Sequence, residues 1–338
     1  MFALDQKIGM TPLAIGPVWL EGRAILAPMS GVTDVGMRHA ARRFGASLVV
    51  SEMVASDDYA RGGAESRLRA EGAGVTPHVV QLAGRDPRWI AEAARLAEAA
   101  GAAVIDINMG CPAKRVTGGH AGSALMREPD LALRLIEATV AAVRVPVTLK
   151  IRLGWDHGSL NAAVLARQAE GAGIRLVTVH GRTRCQFYQG RADWAAVRGV
   201  VEAVAIPVVV TGDCGSADDA RAMLARSGAA AVMIGRAAVG RPWLVGEIAG
   251  ALAGRARVTP SRQEKAEAAR AHLDSLLASM GAAKGLRHAR KHLAAYALHA
   301  GADVASRLGL VTSDEPRLVF DLLERIFQHS HDLASKAA

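Results

Sequence analysis

Asn108, Cys111, Lys114, Arg115 and His120 crowd one stretch of the chain, running from Ile105 to Met126. It opens as an apolar run typical of a buried strand. It then passes into a loop where Gly110, Gly118, Gly119 and Gly122 permit backbone angles closed to other residues. Cys111 lies just past the strand end, ahead of Pro112 and beside Lys114 and Arg115, surroundings of the kind that favour a thiolate. A thiol placed there could serve as nucleophile or as proton donor. Cys185 and Cys214 lack such neighbours and read as ordinary free cysteines. Lys150, Arg152 and His180 fall within or at the end of apolar runs, where charge is costly unless it is paired or used.

The elements that must position these groups alternate along the chain. Short apolar runs at Ala24–Met29, Leu48–Met53, His78–Ala83, Val104–Asn108, Val147–Leu153, Leu176–His180, Val208–Thr211 and Ala231–Ile234 read as strands buried on both faces. Amphipathic segments separate them, among them Pro87–Ala100, Pro129–Val143, Ala162–Glu170, Trp194–Ala203 and Ala217–Arg226. Asp86-Pro87 and Glu128-Pro129 look like helix starts. Gly45, Gly101, Gly173 and Gly228 precede strands two, four, six and eight as helix caps, while Pro77, Pro146 and Pro207 open strands three, five and seven. Two connector types in strict alternation indicate repeated βα units, and eight of them in about 250 residues match a (β/α)8 TIM barrel. An open doubly wound sheet would require a Gly-x-Gly-x-x-Gly after strand one, which is absent. The barrel domain is expected over 1–254. A small C-terminal all-α domain is expected over 255–338, with helices at about 261–280, 286–300 and 316–329, the first opened by a Ser261/Glu264 capping box.

In such a barrel the site lies at the C-terminal ends of the strands. Read there, the chain supplies Pro28 and Met29, Glu52, Gln81, Asn108 with Cys111, Lys150 with Arg152, His180 with Arg182, Thr211-Gly212-Asp213 and Gly235-Arg236. Glycines after strands seven and eight, with Arg236, suit a phosphate group. A lysine on strand five beside that phosphate suits a flavin, whose reduced anion a cation stabilises. The loop from His180 to Trp194 carries Arg182, Arg184, Gln186 and Tyr188, donors and an aromatic that could face a base or its phosphate. Trp194 itself reads as packing onto the next helix. In the tail, Lys284 to His299 holds basic residues and no acid, and Arg287, Arg290 and Lys291 share a helix face.

Of 338 residues, 41 are Lys or Arg and 32 are Asp or Glu, giving a formal charge of +9 and a pI of about 10.0. That balance favours a polyanionic partner. Three cysteines without a Cys-x-x-Cys pair argue against a disulfide framework or a zinc site, and no metal is expected. The N-terminus carries Asp5 and Lys7 where a signal peptide would be apolar, and the uncharged run from Ile8 to Leu20 is too short to cross a bilayer. A cytoplasmic protein without a membrane segment is expected, acting as a monomer.

Ala27-Pro-Met29 followed by Thr33-Asp34, Asn108-Met-Gly-Cys-Pro-Ala-Lys114, Lys150-Ile-Arg152, the segment His180–Trp194 and Gly235-Arg236 resemble the signatures of the tRNA-dihydrouridine synthase family, its DusB type in particular. The resemblance implies an FMN enzyme that reduces the C5=C6 bond of uridines in the tRNA D-loop, with NADPH or NADH as electron donor. It implies hydride transfer from N5 of the reduced flavin to C6 and a proton from Cys111 to C5. It assigns Ala27, Pro28, Met29, Gln81, Lys150, His180, Thr211, Gly212, Asp213, Gly235 and Arg236 to the FMN. Asn108, Lys114, Arg115, Arg152, Arg182, Arg184, Gln186 and the tail residues Arg287, Arg290 and Lys291 fall to the uridine and the tRNA. One position departs from the family pattern: Thr211 stands where similar enzymes have Asn, so its hydroxyl would have to replace an amide contact. An FMN barrel acting on a free pyrimidine is the alternative, against which the basic tail speaks. A non-catalytic RNA-binding barrel is a third, disfavoured by Cys111, Lys150 and His180.

Overall fold

Successive side chains along a strand face opposite ways, and that rule sorts the barrel residues into an inner and an outer set. The computed structural model describes residues 13–256 and 259–329. Its parallel strands run around a ring in chain order: Ala24–Leu26, Leu48–Val49 with Met53–Ala55, Val79–Ala83, Val104–Met109, Val147–Arg152, Val177–His180, Val208–Thr211 and Ala231–Ile234. Strand eight pairs back to strand one. Strand two is broken: its first piece pairs with strand one and its second with strand three. Ser51 bridges the break, its amide donating to the Val79 carbonyl (3.0 Å) and its hydroxyl oxygen accepting from the Gln81 amide (2.9 Å). The chain thus forms the expected barrel, with helices outside it. Gly45, Gly101, Gly173 and Gly228 all take positive φ, as their capping role demands.

The outward residues, such as Leu26, Ile107, Leu149, Val179 and Val210, pack in one large apolar cluster with the surrounding helices. The inward residues at the lower end, among them Ile25, Val104, Leu176 and Val209, form a second cluster with Leu13, Ile15 and Leu20. Those three come from an antiparallel hairpin, Leu13–Ile15 and Val18–Leu20, which plugs the barrel floor. Residues 13–20 of the uncharged run that was too short to span a membrane form this plug, and residues 8–12 of it lie outside the described residues. Above it the inward positions turn polar: Asp106 and Asn108, Thr148 and Lys150, Thr178 and His180. Strands four to six therefore alternate polar and apolar in their upper halves, although they are buried on both faces as expected.

The tail comprises helices Arg262–Met280, Ala282–His299, Val304–Thr312 and Pro316–His329. The Ser261/Glu264 capping box is formed, with Ser261 N–H donating to Glu264 (2.8 Å) and Glu264 N–H to Ser261 Oγ (3.2 Å). The second helix starts at Ala282, earlier than expected, directly after Gly281. The helix Val304–Thr312 was not anticipated, because Gly309 reads as a breaker. Gly309 lies inside that helix, where a Cβ would sit 3.1 Å from Leu322 Cδ1 of the fourth helix, so its smallness serves close approach. Asp303 caps the unanticipated helix by accepting from Ser306 N–H (2.8 Å). Leu273, Leu286, Leu293, Tyr296 and Leu323 build a core of the tail's own, joined by Trp243 and bordered by Phe44 from the barrel. Among the described residues no helix is long and apolar enough to cross a membrane.

One glycine makes the packing of the barrel's last helix, Trp243–Leu252, testable. A Cβ on Gly246 would lie 1.6 Å from the Phe44 carbonyl oxygen, whereas one on Gly199 would meet nothing within 4 Å. Gly246→Ala is expected to destabilise the fold by about 1–3 kcal/mol or more, and Gly199→Ala to stabilise it by up to about 1 kcal/mol. Thermal denaturation of both variants checks the contrast.

Candidate active site at the barrel mouth

Strand pairing sets Gln81 beside Asp106, Asp106 beside Thr148, and Asn108 beside Lys150. A hydrogen-bonded relay follows. The Thr148 hydroxyl donates to Asp106 Oδ1 (2.6 Å), Gln81 Nε2 donates to Asp106 Oδ2 (2.6 Å), and Asn108 Nδ2 donates to Gln81 Oε1 (2.7 Å). With its amide so oriented, Asn108 turns Oδ1 toward the loop, where it accepts from the N–H groups of Gly110 (3.2 Å) and Cys111 (3.0 Å). The Cys111 carbonyl in turn accepts from Ser123 N–H (3.0 Å) and Oγ–H (2.8 Å). Gly122, at φ +60°, lies against it, and a Cβ there would fall 2.9 Å from the Cys111 oxygen. The half-buried thiol thus stands on a backbone held from both sides.

Burial pushes the Asp106 carboxyl up, against the hydrogen bonds from Thr148 and Gln81 and the charge of Lys150. Burial likewise pushes Lys150 down to about 8, helped by Arg152 and resisted by Asp106 and Cys111. His180, paired in register with Arg152 and Thr211, is held neutral: burial and the cations Arg152, Lys150, Arg182 and Arg236 keep it well below its ordinary value. Cys214 is buried, and burial pushes its thiol up to about 12, consistent with an inert cysteine.

Two arginines expected at the substrate prove to be internal. Arg152, 1% exposed, donates from Nε to the Gly110 carbonyl (2.7 Å) and from Nη1 to the carbonyls of Thr183 (2.8 Å) and Phe187 (2.9 Å). It ties the Cys111 loop to the His180 loop. Arg182, equally buried, makes a two-pronged pair with Asp213 (3.0 and 2.6 Å) and also donates to the carbonyls of Gln189 (3.1 Å) and Gly190 (2.5 Å). Burial opposes ionisation of Asp213, but Arg182, the Ala192 amide and Arg236 together hold its carboxyl below the usual range. Gly212 precedes it at φ +123° and allows the turn; a Cβ there would meet Ala192 Cβ at 2.7 Å and His180 Cδ2 at 2.9 Å. The Gly212 carbonyl accepts from Trp194 Nε1–H (2.8 Å), so Trp194 is the packing residue the sequence suggested. The Thr211 hydroxyl donates to the Met233 carbonyl (2.8 Å), which directs its proton between strands seven and eight and away from the mouth.

Beside these lie more open groups. Gly235 abuts Ala27 and Met29 with room to spare, since a Cβ would approach neither closer than 3.7 Å. Arg236 is largely exposed, 3.4 Å from Asp213 and over the Tyr188 ring. Phe187 and Tyr188 are both exposed and meet edge to face. Gln186, half-buried, accepts Thr183 N–H through Oε1 (2.8 Å). Lys114 and Arg115 ride exposed on a short helix, Lys114–Gly118. Trp155 lies between the guanidinium groups of Arg127 (3.7 Å) and Arg184 (4.7 Å). Sequence reasoning passed over Arg127, Trp155 and Phe187, and a tryptophan in the loop after strand five was the available signal.

The tail cations are unequal. Arg287 is exposed, but Arg290 pairs with Asp314 at 2.9 Å, and the Lys291 ammonium donates to the Gly31 carbonyl of the barrel. The absence of acid within 284–299 did not mean absence of acidic partners, because Asp314 arrives from another segment. Gly31 N–H donates to Glu52, so one barrel peptide is gripped by Glu52 from one side and Lys291 from the other.

The chain matches the family model "Dihydrouridine synthase (Dus)" over residues 25–314. It is 54% identical over 302 residues to a probable tRNA-dihydrouridine synthase of Rhizobium leguminosarum bv. phaseoli, covering 89% of this chain and 93% of the relative. It is 48% identical to tRNA-dihydrouridine synthase B of Xanthomonas axonopodis pv. citri, covering 84% and 86%. Among solved structures, histamine dehydrogenase from Rhizobium sp. 4-9 aligns with a TM-score of 0.55 at 15% identity, over 96% of this chain and 65% of that one. Morphinone reductase in complex with tetrahydroNAD aligns at 0.51 and 16%, over 76% and 93%. At such identities these two show a shared fold.

The buried Lys150 gives the ligand-free protein a distinctive pH response. Its folded value of about 8 lies below the ordinary 10.5, so between those pH values the unfolded chain binds more protons and folding gains stability as pH rises. Wild type is expected to gain thermal stability relative to Lys150→Met across that window. A difference in melting temperature that stays constant from pH 7 to 10.5 would contradict the burial of a charged lysine.

Proposed function

Because this chain belongs to the dihydrouridine synthase family, we propose that it is a flavin enzyme reducing uridines in the D-loop of tRNA to 5,6-dihydrouridine. FMN is the flavin in this reading, with NADPH or NADH as its electron donor. Residues 1–254 form the catalytic domain and 255–338 the tRNA-binding domain of a cytoplasmic monomer. The observation that carries the reading is the Thr148–Asp106–Gln81–Asn108 relay, which fixes Cys111 at the rim of a barrel whose interior holds a lysine cation.

The donor set fits FMN. Lys150 offers a buried cation at one side of the mouth, suited to the electron-rich edge of a flavin ring. Gly235 offers open backbone beside Ala27 and Met29, and Arg236 an accessible guanidinium, suited to a phosphate at the strand seven and eight side. Neutral His180 adds a hydrogen-bonding ring between them without adding charge. Gln81, with both ends of its amide engaged in the relay, and Asp213, paired with Arg182, shape the pocket more than they reach into it. Thr211 contributes through its backbone, since its hydroxyl proton is committed to Met233.

A reduced flavin held by these residues would supply the hydride for C6 of the uracil. Cys111 supplies the proton to C5, completing the saturation of the C5=C6 bond. A uridine must leave its stack to reach a barrel mouth, and exposed Phe187 and Tyr188 offer faces on which a base can stack. Arg127, Arg184, Lys114, Arg115 and Arg287 are the accessible cations for phosphates, together with the NH2 group of Gln186. Arg152 and Arg182 act by holding the two loops in register, because both are buried beyond the reach of RNA.

Two outcomes follow. Cys111→Ala is expected to keep the yellow flavin absorbance while dihydrouridine formation falls about 10²–10⁴-fold; full activity in that variant would remove the cysteine from the reaction. Arg287→Gln is expected to weaken tRNA binding and lower its salt slope by about one, with Arg290→Gln weaker in effect because Asp314 already pairs with it. Salt titrations of tRNA affinity check the difference.

A further inference from the structure

We propose that Asp34, His288 and His292 form a binding site for a zinc-type divalent transition metal, which clasps the helical tail onto the barrel. The mouth chemistry makes no use of these residues. Asp34 caps the barrel helix Val35–Arg43, accepting from Met37 N–H. His288 and His292 stand four residues apart on the helix Ala282–His299, a spacing that puts two imidazoles on one face and lets them share a metal.

The ligand atoms converge. His292 Nε2 lies 3.3 Å and His288 Nε2 3.8 Å from Asp34 Oδ2, and all three atoms fall within 4.8 Å of one another. Metal bonds of about 2.0–2.2 Å arranged tetrahedrally would place ligand atoms roughly 3.3–3.5 Å apart, so a contraction of at most about 1.5 Å in the widest pair completes the polyhedron. Well-aligned hydrogen bonds account for only part of the cluster: His272 holds Asp34, while His288 and His292 face the same carboxylate at 3.8 and 3.3 Å. His288 Nε2 and both ring nitrogens of His292 are buried without a hydrogen-bond partner among the described residues, and the His292 side chain is only 2% exposed. Orphaned buried nitrogens are costly, and a metal would satisfy two of the three.

The outer partners are in place as well. His272 Nε2 lies 3.0 Å from Asp34 Oδ1, and its Nδ1 lies 3.1 Å from the Tyr296 hydroxyl. An ionised carboxylate only accepts, so His272 donates to it, and in the neutral ring Nδ1 accepts from Tyr296. That chain orients Asp34 as outer hydrogen bonds orient metal-binding carboxylates. Two imidazoles and one carboxylate suit zinc and its neighbours over calcium or magnesium, and leave a fourth position for water. Cysteine spacing, where a zinc site was first sought, could not reveal one built from histidines of the basic tail helix.

The test uses full-length, flavin-loaded protein without a histidine tag, stripped with a chelator and titrated with zinc or cobalt(II). Binding of one metal per chain is expected, with visible cobalt absorption bands of a low-coordinate histidine and carboxylate site and a melting temperature that rises with zinc. His292→Ala and the partly exposed His288→Asn should abolish the bands, His272→Gln should weaken affinity about 10–100-fold, and His157→Asn, a surface control, should change nothing. Wild-type protein without stoichiometric binding, or binding unaltered in both His288→Asn and His292→Ala, would overturn the site and leave an all-protein histidine and aspartate cluster.

Discussion

A carboxylate sealed inside a barrel must be hydrogen-bonded, and the way Asp106 is satisfied sets the rest of the mouth. Both of its oxygens accept, from Thr148 and Gln81. That demand fixes the Gln81 amide, which fixes Asn108, whose remaining oxygen anchors the Cys111 loop. The same carboxylate offsets part of the desolvation of Lys150, which would otherwise lose its proton more readily. A thiol held in place and a cation kept near neutral pH thus depend on one buried acid three strands wide in its reach.

The architecture was legible because it repeats. Glycine caps and prolines in alternation marked the strand entries, and the strands fall where apolar runs lie. What the runs concealed was their inner face. Asp106 and Thr148 sit among Ile105, Ile107, Val147 and Leu149 and look incidental in a linear reading, yet strand register brings them together. The floor hairpin was hidden for the opposite reason: its residues carry no chemistry, and only contact with Val104, Leu176 and Val209 shows their purpose.

The candidate site was legible by residue type and less so by role. Cys111, Lys150 and His180 occupy the mouth, as their positions at strand ends required. Arg152 read as a ligand because charge in a strand is costly, and Arg182 because its loop is dense in donors; backbone carbonyls and Asp213 engage them here. In the tail, a run without acids suggested a free basic face, but Asp314 and the Gly31 carbonyl take two of its cations. Pairings between distant segments are what a single sequence hides, and the meeting of Asp34 with His272, His288 and His292 is the plainest instance.

The tail therefore does two things at once. Its buried stripe, Leu286, Leu293 and Tyr296, completes a core with Trp243, while Lys291 and the histidines reach the first barrel loop and helix. The exposed Arg287 stands on the same docked helix as Lys291, so its guanidinium is carried at a fixed position relative to the mouth. Mass mapping of tRNA from cells with and without the gene tests the central claim most directly. Dihydrouridine at one or more D-loop positions should vanish without the gene and return with the wild-type copy. Unchanged dihydrouridine at every position would contradict a uridine reductase at this barrel mouth.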